Sequence, residues 1–90
     1  MNFAEQVYSR QFDVDFFKLP PNIQRQIESK IDELGTRLDQ YSHQRLTGSP
    51  AYRLRVGDYR VAYTFDLARH ILYLAAVGNR REVYKRQLRR

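Results

Sequence analysis

The stretch Tyr52-Arg53-Leu54-Arg55-Val56-Gly57-Asp58-Tyr59-Arg60-Val61-Ala62-Tyr63 has the pattern of two strands joined by a tight turn. Apolar residues alternate with others on both sides of Gly57-Asp58, which is the period-2 pattern of strands with one buried face. Glycine at the first turn position supplies the positive φ that a two-residue type II′ loop needs. The sequence therefore predicts a β-hairpin in which Arg55 lies opposite Arg60.

This hairpin has one apolar face and one basic face. On the basic face, Arg53, Arg55 and Arg60 are accompanied only by the small residues Ala62 and Thr64. Like charges directly opposite each other destabilise a sheet, so the three arginines indicate that a polyanion binds there. The predicted apolar face carries Tyr52, Leu54, Val56, Tyr59, Val61 and Tyr63.

Length and composition predict one small globular domain spanning residues 1–90, because 42% of the residues are hydrophobic and 29% are charged. The chain has no cysteine, which excludes disulfides and thiolate metal sites. It also has neither an apolar run of membrane-spanning length nor the apolar core of a signal peptide. We therefore expect a soluble, cytoplasmic protein that does not bind membranes.

The net charge of +6 is unevenly distributed along the chain. Residues 1–42 carry five Lys or Arg against seven Asp or Glu, whereas residues 43–90 carry eleven against three. Thirteen of the sixteen positive residues are arginines, whose planar donors match phosphate oxygens and also stack on bases. A solubilising surface is the alternative to a nucleic acid or an acidic protein as partner.

The remaining elements follow from periodicity. A loose alternation in residues 3–8 predicts a first strand, and apolar spacings of three and four predict two helices before Gly35. The apolar run His70–Val77 predicts a strand that is central or covered on both sides, and residues 80–88 predict a short C-terminal helix. The predicted fold is α+β in the order β-α-α-β-β-β, with a four-stranded, mainly antiparallel sheet and a helical hairpin on one face.

Arginine and tyrosine are the residues left to form a site. His43 and His70 do not have ligand spacing and are expected at the surface or at strand ends, so no metal site and no other cofactor is expected. Acidic residues cluster in the first two helices, which argues against a paired-carboxylate hydrolase. Arg80 follows the last strand and Tyr84 lies one helical turn later. These residues and the hairpin arginines either hold a phosphodiester and stack on a base, or are solvated arginines beside a core tyrosine.

The hairpin stretch, together with the run Ala76-Val77-Gly78-Asn79-Arg80-Arg81-Glu82-Val83-Tyr84, resembles the RelE branch of the RelE/ParE superfamily of prokaryotic toxins. The resemblance covers essentially the whole chain. Phe12 to Leu34 is similar to the family's helical hairpin, and Arg45-Leu46-Thr47-Gly48 resembles the segment that leads into its second strand. The two signatures are specific to the superfamily and less specific to one toxin activity.

The resemblance implies a toxin of a type II toxin–antitoxin system that cleaves messenger RNA in the ribosomal A site. Its partners are then the ribosome, mRNA and a cognate antitoxin, whose acidic segment is attached to a DNA-binding domain. Arg60 matches the phosphate-binding arginine, Arg80 the arginine after the last strand, and Tyr84 the tyrosine that stacks on RNA. Arg55 completes this implied catalytic set, and the implied RNA- and phosphate-binding residues are Arg45, Arg53 and Arg81.

Arg55 departs from the family pattern, because it occupies a position where a lysine can act as the base. Arginine essentially does not lose its proton. Three outcomes stay open: charge stabilisation and orientation suffice, Tyr84 or the RNA takes part, or the activity is weak. Two other functions also stay open, namely ParE-like inhibition of DNA gyrase and a non-catalytic domain that binds RNA or an antitoxin.

Overall fold

Five strands and two helices form the computed structural model, which describes residues 3–46 and 48–79. The predicted α+β class is confirmed, but the sheet has five strands where four were predicted. The additional strand is a two-residue pairing of the segment before the hairpin. The predicted C-terminal helix lies outside the described residues. The elements in chain order are β1 (Glu5–Tyr8), α1 (Arg10–Phe16), α2 (Pro21–Gly35), β2 (Gln44–Arg45), β3 (Tyr52–Val56), β4 (Tyr59–Asp66) and β5 (Ile71–Asn79).

The strands form one sheet in the order β1-β5-β4-β3-β2. β1 runs parallel to β5, whereas the other three pairings are antiparallel. β5 is thus flanked by a strand on each side, in agreement with the prediction that the apolar run His70–Val77 forms a strand that is central in the sheet or covered on both sides. The order also leaves β1 and β2 at opposite edges of the sheet.

The hairpin has the predicted register. Val56 pairs with Tyr59, Arg55 with Arg60, and Leu54 with Val61. Gly57 has φ 60°, the left-handed conformation that L-residues avoid. The side chains predicted for the apolar face belong to the main core or pack against it, so the hairpin's two faces are as the alternation indicates.

Both helices cover this apolar face. α1 begins after Ser9, whose side chain accepts a hydrogen bond from the Phe12 amide at 3.0 Å and so caps the helix. α1 ends at Phe16, so Asp15 lies in its last turn, where it is buried. α2 begins at Pro21 and contributes the buried residues Ile27, Ile31 and Leu34. The apolar stripe of α2 is therefore core packing.

A β-bulge in β5 explains why the sequence of this strand predicts two apolar faces. Ala62 pairs with Ala76 and Tyr63 pairs with Leu74, which leaves Ala75 as the extra residue. The Ser9 hydroxyl donates to the Ala75 carbonyl at 2.7 Å. Because the bulge shifts the alternation by one residue, Leu74 and Val77 both reach the helix side.

A second, smaller core lies on the other face of the sheet. Leu46, Ala51, Ala62 and Ala76 are buried together there. The Leu46 amide donates to the Ala51 carbonyl at 2.9 Å, which folds the chain before β3 back over the sheet. Neither helix of the described chain is long and apolar enough to cross a membrane.

Candidate functional site

The three hairpin arginines converge on one pocket. A cavity of about 310 Å³ is lined by Arg53, Arg55 and Arg60 on one side. Tyr41, Ser42 and Gln44 line the other side, and we call the whole cavity the arginine pocket. None of the residues that line it within the described chain is acidic.

Small residues on the neighbouring strands make room for this pocket. Arg53 pairs with Ala62, which in turn pairs with Ala76 of β5. Arg60 pairs with Gly78, which carries no side chain. Residues paired across strands share one face of the sheet, so the neighbours of the arginines on this face are small and leave space for a pocket.

Each arginine is held differently. Arg53 donates through Nη2 to Gln44 Oε1 at 2.8 Å, so β2 orients it. Arg60 donates through Nη1 to the carbonyl oxygens of Tyr59 at 3.1 Å and Gly57 at 3.4 Å, so the turn orients it. Arg55 is exposed and makes no hydrogen bond or ion pair within residues 3–46 and 48–79. Since Arg55 lies opposite Arg60, an anion between the two guanidinium groups would relieve their repulsion.

Arg45 is not brought to the pocket. It pairs with Tyr52, whose ring packs against the core on the helix side of the sheet. Its guanidinium carbon lies 5.0 Å from the centre of the Tyr52 ring, and its Nη1 donates to the Pro50 carbonyl at 3.2 Å. These contacts place Arg45 at the β2 edge, away from the three hairpin arginines. Arg80, Arg81 and Tyr84 lie outside the described residues.

Three further residues of the pocket were not predicted from the sequence, namely Tyr41, Ser42 and Gln44. They belong to the segment between α2 and β3, which has no regular hydrophobic period. The pairing of Gln44 with Arg53 and of Arg45 with Tyr52 brings this segment to the hairpin. A two-residue strand leaves no propensity signal, so nothing in the local sequence marks these residues.

His43 holds this wall of the pocket in place. Its Nε2 lies 2.8 Å from the Leu38 carbonyl oxygen, and its Nδ1 lies 2.6 Å from the Tyr63 hydroxyl. Because a carbonyl only accepts, Nε2 carries the proton and Nδ1 accepts from Tyr63. The His43 ring also stacks on Phe65 with 4.1 Å between centroids. His43 lies directly before β2, at a strand end as predicted, and it is half-buried there.

Tyr63 is fully buried beside this histidine. Burial raises the pKa of its hydroxyl well above the ordinary value near 10, and Tyr41 and Tyr52 act in the same direction. Tyr63 therefore keeps its proton across the ordinary pH range and is available as the donor to His43 Nδ1. Since both imidazole nitrogens are engaged, His43 is occupied as a structural residue in this arrangement.

The chemistry available at the pocket is anion binding. Its guanidinium groups keep their protons near neutral pH and donate in a planar fork that matches phosphate oxygens. Among the described residues, no three His, Cys, Asp or Glu side chains come together to hold a metal ion. The pocket can thus orient a phosphodiester and stabilise negative charge that develops on it.

Comparison with known proteins places this geometry in a family. Residues 7–84 match the model of a family described as the ParE toxin of the type II toxin–antitoxin system, parDE. No curated protein sequence matches the chain.

Solved structures share the fold at low sequence identity. A mutant E. coli RelE toxin in the free state is 18% identical, with 97% of this chain and 95% of that one covered and a TM-score of 0.75. The toxin–antitoxin complex RelBE2 from Mycobacterium tuberculosis is 21% identical, with coverages of 89% and 94% and a TM-score of 0.72. The archaeal RelE–RelB complex from Pyrococcus horikoshii is 21% identical, with coverages of 88% and 97% and a TM-score of 0.71.

The family match covers most of the chain, and the structural matches extend over nearly the whole fold. The protein therefore belongs to the ParE toxin family, within the RelE/ParE superfamily, and is a toxin of a type II toxin–antitoxin system.

Proposed function

We propose that this toxin is a ribosome-dependent endoribonuclease that cleaves mRNA in the A site and thereby stops translation. The observation that carries the proposal is the convergence of Arg53, Arg55 and Arg60 on one pocket, where no lining residue of the described part of the chain is acidic. Such a pocket attracts a phosphodiester and strengthens its hold as charge develops in the transition state. The family resemblance supplies the reaction class, and the arginine pocket supports it.

In this proposal the ribose 2′-oxygen attacks the adjacent phosphorus. A 2′,3′-cyclic phosphate forms, and the 5′-oxygen of the next nucleotide leaves and takes up a proton. Arg60 binds the phosphate, Arg55 stabilises the charge that develops, and Arg53 positions the strand. Arg80 and Tyr84 complete the set by resemblance, as a phosphate ligand and a base-stacking residue, and Arg45 and Arg81 are proposed to contact the RNA outside the reacting centre.

Proton transfer falls to groups other than these arginines, because arginine does not deprotonate near neutral pH. The groups that remain to take the proton from the 2′-OH and to give one to the 5′-oxygen are Tyr84, the RNA itself and the ribosome. Holding the 2′-oxygen in line with the phosphorus lowers the barrier even without a base on the toxin. This assignment fits a pocket made of fixed positive charges.

We also propose that a cognate antitoxin covers the arginine pocket with an acidic segment. The RelE relatives from M. tuberculosis and P. horikoshii were solved as toxin–antitoxin complexes. Opposite charges across such an interface speed association and make it sensitive to salt. An association rate that is the same at low and high salt would contradict this docking mode.

Inhibition of DNA gyrase is the second candidate function. The observation that favours it is the family description, which names ParE and parDE. Gyrase inhibition requires a protein interface and no phosphodiester chemistry. If the toxin inhibits gyrase, the parent does not cleave mRNA, and replacing the pocket arginines therefore causes no loss of cleavage.

The deciding experiment measures mRNA cleavage on programmed ribosomes and gyrase supercoiling in parallel. Arg60→Ala is expected to lower the single-turnover cleavage rate by about 10²- to 10³-fold, the cost of removing one transition-state donor. Arg69→Ala is the matched control, because Arg69 is an exposed arginine in the turn at the opposite end of the sheet. Parent-like cleavage by a folded Arg53→Ala/Arg60→Ala protein would refute the site. Absence of cleavage by the parent, with supercoiling inhibited, would establish the second candidate.

A further inference from the structure

The two flanks of the polar face of α2 line different cavities. On the side toward β1 and α1, Asp32 accepts from Gln6 Nε2 at 2.7 Å, and Glu28 lines a cavity with Tyr8 and Phe12. Of the residues that the structure describes, none that lines the cavity on the side toward the hairpin is acidic, and Glu33, which pairs with Lys30, does not line it. That side presents Asn22, Arg25, Gln26, Ser29 and Lys30.

These five residues line a groove between α2 and the tip of the hairpin. The groove has a volume of about 750 Å³, and Arg55, Val56 and Gly57 form its other wall. We call it the α2 groove. Arg55 lines both the α2 groove and the arginine pocket, so the two cavities are neighbours that share this side chain.

We propose that the α2 groove binds the sugar-phosphate backbone of the RNA strand next to the nucleotide held in the arginine pocket, with Arg25 and Lys30 contacting phosphates. This proposal rests on the proposed function and extends its substrate site along α2. Arg55 lies where the strand passes from pocket to groove. A row of cations joined by short amide and hydroxyl side chains is the composition that contacts phosphate and sugar.

The side chains of the groove favour nucleic acid over an acidic protein as occupant. Protein interfaces centre on buried apolar or aromatic anchors that fill pockets. Among the described residues, Val56 is the one apolar side chain that lines the α2 groove, and at 4% exposed it offers almost no surface. Phosphate recognition needs no such anchor, because its free energy comes from charge and from the release of counterions.

Lys30 is able to turn toward a phosphate at little cost. Its Nζ lies 3.8 Å from Glu33 Oε1, with both side chains about half exposed. Exposed pairs of this kind contribute little, since solvent screens them and the side chains remain mobile. Glu33 also has Arg37 as a second partner at 3.8 Å, so it keeps a cation when Lys30 moves.

The test measures binding of a fluorescent, fully 2′-O-methylated RNA of about 12 nucleotides, a length within the range of single-strand binding sites. The methylated strand cannot undergo the cleavage reaction. Anisotropy titrations at roughly 50 to 300 mM salt give the slope of log K against log salt concentration. Arg25→Gln/Lys30→Gln is expected to reduce the magnitude of this slope by about 1.4, since each phosphate contact on a single strand contributes about 0.7.

The control is Arg10→Gln/Arg69→Gln, which removes the same net charge from exposed positions at the start of α1 and in the β4–β5 turn. It is expected to keep the parent slope. If the groove variant also keeps the parent slope and affinity, or if the parent does not bind the RNA, the groove proposal is overturned. A loss of binding in Arg53→Gln/Arg60→Gln, with the groove variant unaffected, would overturn the groove while leaving the proposed function standing.

An acidic occupant gives a different result. If the groove variant loses binding to an oligoglutamate peptide but keeps parent-like RNA binding, the groove is a protein site and the proposal is wrong. Cleavage on programmed ribosomes remains the separate test of the proposed function. The two proposals can therefore fail independently.

Discussion

Replacing Tyr63 by phenylalanine tests the anchor that holds the wall of the arginine pocket. The change removes one oxygen from a fully buried side chain and leaves its ring in the core. The lost contact is the 2.6 Å hydrogen bond to His43 Nδ1. Because Nε2 of His43 stays bonded to the Leu38 carbonyl, the ring keeps its tautomer and Nδ1 becomes an acceptor without a donor.

The expected cost combines two effects. A typical hydrogen bond contributes about 1 kcal/mol net, and a buried group left unsatisfied costs about 1–3 kcal/mol. His43 is only half-buried, so water relieves part of that penalty. We therefore expect Tyr63→Phe to lower the free energy of unfolding by about 1–2 kcal/mol.

Urea unfolding followed by circular dichroism measures this change. Tyr52→Phe is the matched control, because Tyr52 pairs directly with Tyr63 across the strands and its hydroxyl has only a 3.5 Å contact with Arg45. A cycle with His43→Phe, which keeps a ring against Phe65, isolates the coupling between the two side chains. The reasoning is refuted if Tyr63→Phe unfolds at the same urea concentration as Tyr52→Phe, or if the cycle shows no coupling.

Three further predictions concern pH, the turn and the site. The parent is expected to lose stability as pH rises above about 10, where unfolded tyrosine ionises but buried Tyr63, with its raised pKa, keeps its proton. Below that pH both the folded and the unfolded state hold the proton. The free energy of unfolding, measured with urea at increasing alkaline pH, should therefore decline less steeply for Tyr63→Phe than for the parent. Equal declines would contradict this prediction. Gly57→Ala should lower the free energy of unfolding by about 1–2 kcal/mol, measured with urea, because Gly57 has φ 60°. An added Cβ would meet nothing within 4 Å, so the cost comes from the backbone conformation and not from a clash. A cost no larger than that of Asp58→Ala would count against this prediction. Arg55→Lys should hold or raise the single-turnover cleavage rate on ribosomes and make it depend more steeply on pH, because lysine keeps the charge and adds a base. Arg55→Ala should lower the rate, because it removes the positive charge. Parent-like cleavage by Arg55→Ala would make Arg55 a solvated strand residue.

Elements set by short-range spacing were predictable from the sequence. The hairpin follows from alternation around Gly57-Asp58, and its register was predicted residue by residue, including Arg55 opposite Arg60. The apolar stripe of α2 and its end at Gly35 follow from helical periodicity. In each case the signal lies within one turn of helix or two residues of strand, so local sequence contains it.

The same distinction applies to the site, where short-range spacing predicted some placements of side chains and not others. Arg53, Arg55 and Arg60 were predicted to share a face, and they line one pocket. Arg45 lies outside this pocket, because its pairing with Tyr52 places it on the other face at the β2 edge, and its predicted contact with RNA stays a prediction. That pairing also added the fifth strand.

Tertiary structure alone decided the rest. The bulge at Ala75 shifts the alternation of β5, and no residue type there announces it. His43 reaches Leu38 and Tyr63 because α2, the following loop and β4 meet at one place. The division of the polar face of α2 depends on which neighbour each flank meets, the hairpin or β1 with α1. Periodicity tells which residues face away from the core, but partners distant in sequence determine what a polar residue contacts there. A two-residue strand and a one-residue bulge are too short to leave a periodic signal, so only the folded chain shows them.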